Sequence, residues 1–195
     1  NETTFPFTKD GVNYSIIFRA YDEGVALRYA IDGNGDELQI TEEFTGFQLP
    51  EGYQKLWGQS IGDNSSVANE WPHREYSNRS RLDGQNFNMP LLYESESGAY
   101  GLYSEADLMT GTYCGSVLAG GEDGMLTVKF APEQAAEGPV VTTAPFTSPW
   151  RFLVMGDLAE IMDNTMPENL SPDSVIDDTS WIESGVSNWT WLNGD

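Results

Sequence analysis

The 195-residue sequence carries 31 Asp and Glu against 9 Lys and Arg, a formal net charge of -22 and a pI near 4.1. Such a surface repels phosphate and no basic patch offsets it, which argues against nucleic acid and acidic membranes as partners. Hydrophobic residues at 39% and aromatics at 12% are too many for a disordered chain, and no apolar run reaches the roughly 18 residues of a membrane helix.

The acids are spread along the chain, as on a solvated surface rather than in an acidic arm, and a high-salt habitat is the natural inference. With 20 Gly and 10 Pro the composition fits a loop-rich β protein. Cys114 is the sole cysteine and cannot form an internal disulfide. His73, the sole histidine, reads as a loop residue, and no G-x-S-x-G nucleophile signature accompanies it. No targeting signal opens the sequence, so any such segment is expected to have been removed or to lie upstream.

In chain order, Tyr14 to Tyr21 is rich in β-branched and aromatic residues. The turn signal Asp22-Glu23-Gly24 and the alternation of Val25, Leu27, Tyr29 and Ile31 follow, which together predict a hairpin. A second hairpin turn is expected at Asp32 to Asp36, leading to Leu38–Ile40, and a strand at Phe44–Leu49. Asp63 to Ser66 is a polar break, and Trp71 to Met89 lacks a clear period and reads as a long loop. Leu91–Glu94 and Ala99–Tyr103, separated by Glu96-Ser97-Gly98, predict a further hairpin. Strands are expected at Met125–Phe130 and Trp150–Met155, a polar connection at Pro132–Pro139 and a helical turn at Ala159–Met162. Asn169 to Asp173 reads as a loop, and Val186 to Trp191 as a strand without a partner in the remaining residues. An unpaired apolar strand is costly, so the parent chain is expected to continue. Short strands between turn signals imply an antiparallel sandwich.

Chemistry is hard to place from spacing alone. Asp32-Gly33-Asn34-Gly35-Asp36, with Glu43 beyond, mimics a calcium loop, but Glu37 stands where that loop needs glycine, and a hairpin turn is the better reading. Paired carboxylates do the work of glycoside hydrolysis. Among so many acids, however, Glu42-Glu43, Glu94, Glu96 and Asp177-Asp178 read as solvated or turn residues. Trp57, Trp71, Trp150, Trp181, Trp189 and Trp191 could stack on sugar rings or pack in a core.

Four stretches in order resemble glycoside hydrolase family 97: Phe18 to Tyr29 (FRAYDEGVALRY), Tyr103 to Leu108 (YSEADL), Ser148 to Arg151 (SPWR), and Asn169-Leu170 through Asp178 to Ile182 (DTSWI). The resemblance implies a mainly β chain: an antiparallel β-sandwich (super-sandwich) over residues 1–168. A linker and the first strand of a truncated (β/α)8 barrel would occupy 169–195. It implies the non-catalytic N-terminal portion of a secreted or periplasmic, calcium-dependent glycoside hydrolase acting on α-glucosides or α-galactosides. No catalytic residue is expected in this portion; the acid and the base or nucleophile belong to the barrel. Glu105 matches a sandwich-domain glutamate that reaches the calcium, and Trp189 and Trp191 match the first barrel strand near the substrate. The expected partners are an oligosaccharide and the remaining barrel domain of the same chain. Two other readings are a free-standing carbohydrate-binding β-sandwich and a structural surface protein of a salt-loving organism.

The charge generates a first prediction. Screening relieves repulsion among excess acids, so the melting temperature should climb from low to molar salt. A melting temperature that stays level or falls in thermal scans across a salt series removes the high-salt inference.

Overall fold

A computed structural model describes residues 1–61, 73–77, 82–109, 113 and 115–188. The strands of the first half are β1 (Glu2–Lys9), β2 (Val12–Ala20), β3 (Gly24–Ile31), β4 (Glu37–Ile40), β5 (Gly46–Gln48), β6 (Lys55–Ile61), β7 (His73–Tyr76) and β8 (Asn86–Glu94). Then come β9 (Tyr100–Ala106), β10 (Ser116–Gly120), β11 (Met125–Phe130), helix α1 (Pro132–Glu137), β12 (Val140–Thr143), β13 (Phe146–Thr147) and β14 (Trp150–Gly156). Helices α2 (Leu158–Asp163) and α3 (Met166–Leu170) follow, and the described residues after Leu170 are outside any helix or strand.

The strands of the large sheet run β1-β2-β3-β14-β9-β8-β10-β11-β5, with β6 and β7 continuing from β8 and β13 on β3; β4 and β12 form a separate pair. The β2–β3 and β8–β9 pairings are the expected hairpins. The sheet curls over its own apolar face. Leu49, Leu126 and Val128 from its β5–β11 end thereby join Leu91, Tyr93 and Tyr103 from its middle in one buried cluster. The result is the mainly β, antiparallel sandwich that the turn spacing implied.

β14 organises both faces, because successive strand residues point to opposite sides. Trp150, Phe152 and Val154 face one way and are sealed by Ile161 of α2 and by Met166 and Leu170 of α3. Asp157 and Glu160 form a reciprocal capping box at the start of α2, a device that satisfies two of the backbone N–H groups left open at a helix start. The opposite face of β14 carries Arg151, fully buried and beside both β3 and β9.

Several expectations are corrected. Asp32 to Asp36 is not a hairpin turn: β3 pairs with β2, β14 and β13, whereas β4 pairs with β12. The Gly35 N–H donates to the Ala144 carbonyl at 2.7 Å, which joins that turn to the β12–β13 connection. The long loop expected at Trp71–Met89 contains β7 and the first half of β8, held by pairing with β6 despite their polar sequence. The connection at Pro132–Pro139 contains α1, with proline in the first turn, where no N–H is needed. Asn169 and Leu170 end α3 rather than lie in a loop, because Leu170 is buried in the helix-side core. Val186 to Asn188 lie outside any strand, and the rest of that expected strand, with Trp189 and Trp191, lies outside the described residues. So do Cys114 and Trp71.

Close packing at β3 gives a second prediction. A Cβ on Gly24 would collide with the backbone carbonyl oxygen of Leu153, which cannot move without breaking the β3–β14 ladder. Gly24→Ala should destabilise the chain by about 1–3 kcal/mol. Gly185→Ala, where a Cβ meets nothing within 4 Å, should stay within about 0.5 kcal/mol of the parent. Urea unfolding midpoints of the two variants check both numbers.

Candidate functional site: a buried arginine between two carboxylates

Arg151 and Glu105 are direct cross-strand partners on β14 and β9, so the pleat sends both side chains to the same face. Arg151 Nη1 donates to Glu105 Oε2. On its other side Arg151 grips Glu43, which comes from the segment between β4 and β5. Nε donates to Oε1 at 2.9 Å and Nη2 to Oε2 at 2.8 Å, a two-pronged contact that only a guanidinium can make. Nη2 also donates to the Ser116 Oγ at 2.9 Å. The side chains of Arg151 and Glu43 are 0% and 2% exposed, and that of Glu105 is 10% exposed.

The carboxylates have further donors. Glu43 accepts from Thr45 Oγ1 at 2.7 Å and from the Tyr113 hydroxyl at 2.9 Å. The Tyr29 and Thr45 hydroxyls lie 3.1 Å apart, within hydrogen-bond distance. Glu105 Oε1 accepts from the Ser116 backbone N–H at 3.1 Å. One guanidinium thus joins β9, β10, β14 and the 41–45 segment, which the Val128 N–H also ties to β11 through the Thr45 carbonyl at 2.8 Å.

Environment sets the ionisation of each member. Burial pushes the Glu43 carboxyl upward, but the hydrogen bonds and charge of Arg151, with the Thr45 and Tyr113 hydroxyls, outweigh it and hold Glu43 below its ordinary value. Burial also raises Glu105, and there the Arg151 charge and the Ser116 N–H offset only part of the rise. Arg151 loses solvation, yet its two carboxylates more than restore the charged form. The cluster therefore holds one cation against two acids.

Glu43 is thus not the solvated residue its sequence context suggested; burial against Arg151 overturns that reading. The other flagged acids fit it better: Glu42, Glu96, Asp177 and Asp178 are exposed, and Glu94 is half-buried with Lys55 at 3.8 Å. Trp150 is a core residue, with the guanidinium carbons of Arg19 and Arg28 over its ring at 4.6 Å and 4.4 Å from the centroid. Trp57 is half-buried against Tyr100, and Trp181 is 69% exposed. Sequence reasoning singled out Glu105 by its motif and missed Arg151. The available signal was a lone arginine inside the aromatic run Trp150 to Phe152, since a charge in a core strand must be paired.

For calcium, Glu105 fits the part of a single ligand. Its oxygens are held by Arg151 and by the Ser116 N–H, with the Ser116 side chain close by, and a carboxylate's roughly four lone-pair sites leave acceptor capacity beyond these. A Cβ on Gly115 would stand 3.4 Å from Oε1, so the missing side chain leaves room beside that oxygen. Among the described residues no three His, Cys, Asp or Glu side chains converge on a metal site, so a six- to eight-oxygen shell around Glu105 would need oxygens from beyond such a cluster.

Two predictions follow from the cluster. Arg151→Met leaves two buried carboxylates without their cation and should cost about 3–5 kcal/mol in urea unfolding. Glu43 has a lowered folded pKa. It therefore contributes stability present above the unfolded value near 4.5 and lost as pH falls through the lower folded one. The stability difference between parent and Glu43→Gln should be level above pH 4.5 and shrink below it. Unfolding series from pH 6 to 3 measure that difference.

A family model described as Glycosyl-hydrolase 97 N-terminal matches residues 1–172. A protein of Streptomyces bingchenggensis (strain BCW-1) named "Probable retaining alpha-galactosidase" is 34% identical over 99% of this chain, which spans 28% of that protein's length. The solved structure of a glycoside hydrolase family 97 enzyme from Pseudoalteromonas sp. strain K8 in complex with acarbose is similar with a TM-score of 0.76 at 22% identity. That match covers 93% of this chain and 27% of the enzyme. A β-arabinopyranosidase structure matches with a TM-score of 0.65 at 24% identity over 80% of this chain and 27% of its own. The chain belongs to the glycosyl-hydrolase 97 N-terminal family.

Proposed function

We propose that this chain is the non-catalytic N-terminal β-domain of a calcium-dependent glycoside hydrolase acting on α-galactosides or α-glucosides. The observation that carries the reading is the family match over residues 1–172. The α-galactosidase name of the Streptomyces relative and the acarbose and panose complexes of the Pseudoalteromonas enzyme support an α-linked sugar substrate. In this reading residues 169–195 lead into a (β/α)8 barrel that carries the acid and its partner carboxylate, and Trp189 and Trp191 lie on its first strand. Secretion or periplasmic location, and an environment rich in salt, go with the same reading; the acidic surface supports the salt.

Calcium, when bound, supplies a fixed positive charge that orients carboxylate and sugar oxygens. The chain's own residues do the rest of this domain's work. Glu105 offers one carboxylate at the end of β9, and Ser116 and Arg151 hold its two oxygens. The β-sandwich behind them supplies a rigid mount.

Expression of the complete open reading frame tests the proposal. Hydrolysis of an aryl α-galactoside or an aryl α-glucoside is expected, lost on chelation and restored by calcium. Glu105→Gln in that protein should bind calcium more weakly by calorimetry and recover part of its activity in excess calcium. No hydrolysis of either substrate sinks the enzyme reading, and wild-type calcium affinity in Glu105→Gln removes Glu105 as a ligand.

A further inference from the structure

We infer that Arg151, held in place by Glu43, is the positioning residue that fixes the orientation of the Glu105 carboxylate at the calcium site, an inference that rests on the calcium reading above.

The geometry supports the orientation. The last torsion of a glutamate is broad and roughly two-fold, so an untethered carboxylate turns readily. In this chain Oε2 is fixed by the Arg151 guanidinium and Oε1 by the Ser116 N–H. Two donors on two oxygens define the carboxylate plane, and the free lone pairs then point in set directions, with Gly115 leaving space beside Oε1. Arg151 could not hold that position alone. Its guanidinium is oriented by the two-pronged contact with Glu43 and by Ser116 Oγ, so that four N–H bonds reach three acceptor residues.

The sharing of the guanidinium fits that role. An arginine paired with Glu105 alone would cancel the negative charge that a cation needs. Glu43 is deeply buried and takes two of the arginine's hydrogen bonds, so the guanidinium is shared between two carboxylates, of which Glu105 is the more open. Glu43 thus shapes a metal site it does not touch, as outer partners of metal ligands do elsewhere.

Calcium chloride titrations by calorimetry on the full-length protein test this, with Glu105→Gln, Glu43→Gln and the double variant, each accompanied by a thermal melt. Glu43→Gln should weaken calcium binding by about 10–100-fold. On the Glu105→Gln background the same change should cause no further loss of affinity while still lowering the melting temperature, a non-additivity that simple destabilisation does not produce. Wild-type affinity in Glu105→Gln overturns the calcium reading underneath. Weak binding in Glu105→Gln with wild-type affinity in folded Glu43→Gln overturns the positioning inference alone. If Glu43→Gln does not fold, Tyr113→Phe, which removes one of the hydroxyl donors that hold Glu43, takes its place. A several-fold loss of affinity supports the inference and an unchanged affinity overturns it.

Discussion

A single guanidinium in the interior sets the terms for this fold. Arg151 has no exposed side-chain surface, and stripping its water is tolerable only because acceptors from three residues surround it. Those residues come from β9, from the start of β10 and from the 41–45 segment, and Glu43 lies 108 positions away in sequence. Replacing the whole cluster with well-packed apolar residues could match its stability. What such a core would lose is the requirement that these elements meet in one arrangement, since a misplaced element would leave a buried charge unpaired.

β14 makes the arrangement possible by presenting two unlike faces. The Trp150, Phe152 and Val154 side is ordinary apolar packing under α2 and α3. Even there the cations Arg19 and Arg28 lie over the Trp150 ring, with Glu2 and Asp107 as their counter-charges. The Arg151 side is polar at its centre and merges along the sheet into the tyrosine-rich cluster around Tyr93 and Tyr103. A shift of register by one residue would exchange these faces, placing Trp150 against Glu43 and Arg151 against the helices. The alternation of one strand therefore fixes the register of the middle of the sheet.

Much of the sheet could be read from the sequence, and the failures have physical causes. The β2–β3 and β8–β9 hairpins announced themselves through β-branched and aromatic runs with turn residues between. β1 went unread because Pro6 interrupts it; the proline is tolerated where β1, among the described strands, pairs with β2 alone. β7 and the start of β8 are too polar to show a period, and pairing with β6 decides them. β10 is five residues long and buried throughout, so it has no alternation to detect. The site divided in the same way. A motif pointed to Glu105 without its contact to Arg151, and the burial of Glu43 depends on a partner across the fold that no local spacing reveals.

The distribution of charge completes the picture. Of the 40 Lys, Arg, Asp and Glu side chains, 31 are acidic, yet the buried cluster admits two acids only in the company of a cation. The excess negative charge is left to the surface, where salt screens it within a Debye length of about 8 Å at physiological ionic strength. The Arg151 contacts are buried and short-range, so the same salt scarcely reaches them. Ionic strength and acid therefore act on different parts of this molecule. Salt relieves the repulsion spread over the surface, whereas falling pH attacks the interior by protonating first Glu105, whose pKa is raised, and then Glu43, the main counter-charge of Arg151. A chain built this way can tolerate large changes in salt without disturbing the carboxylate geometry around Glu105, because the elements that hold that geometry are not the ones the ions screen.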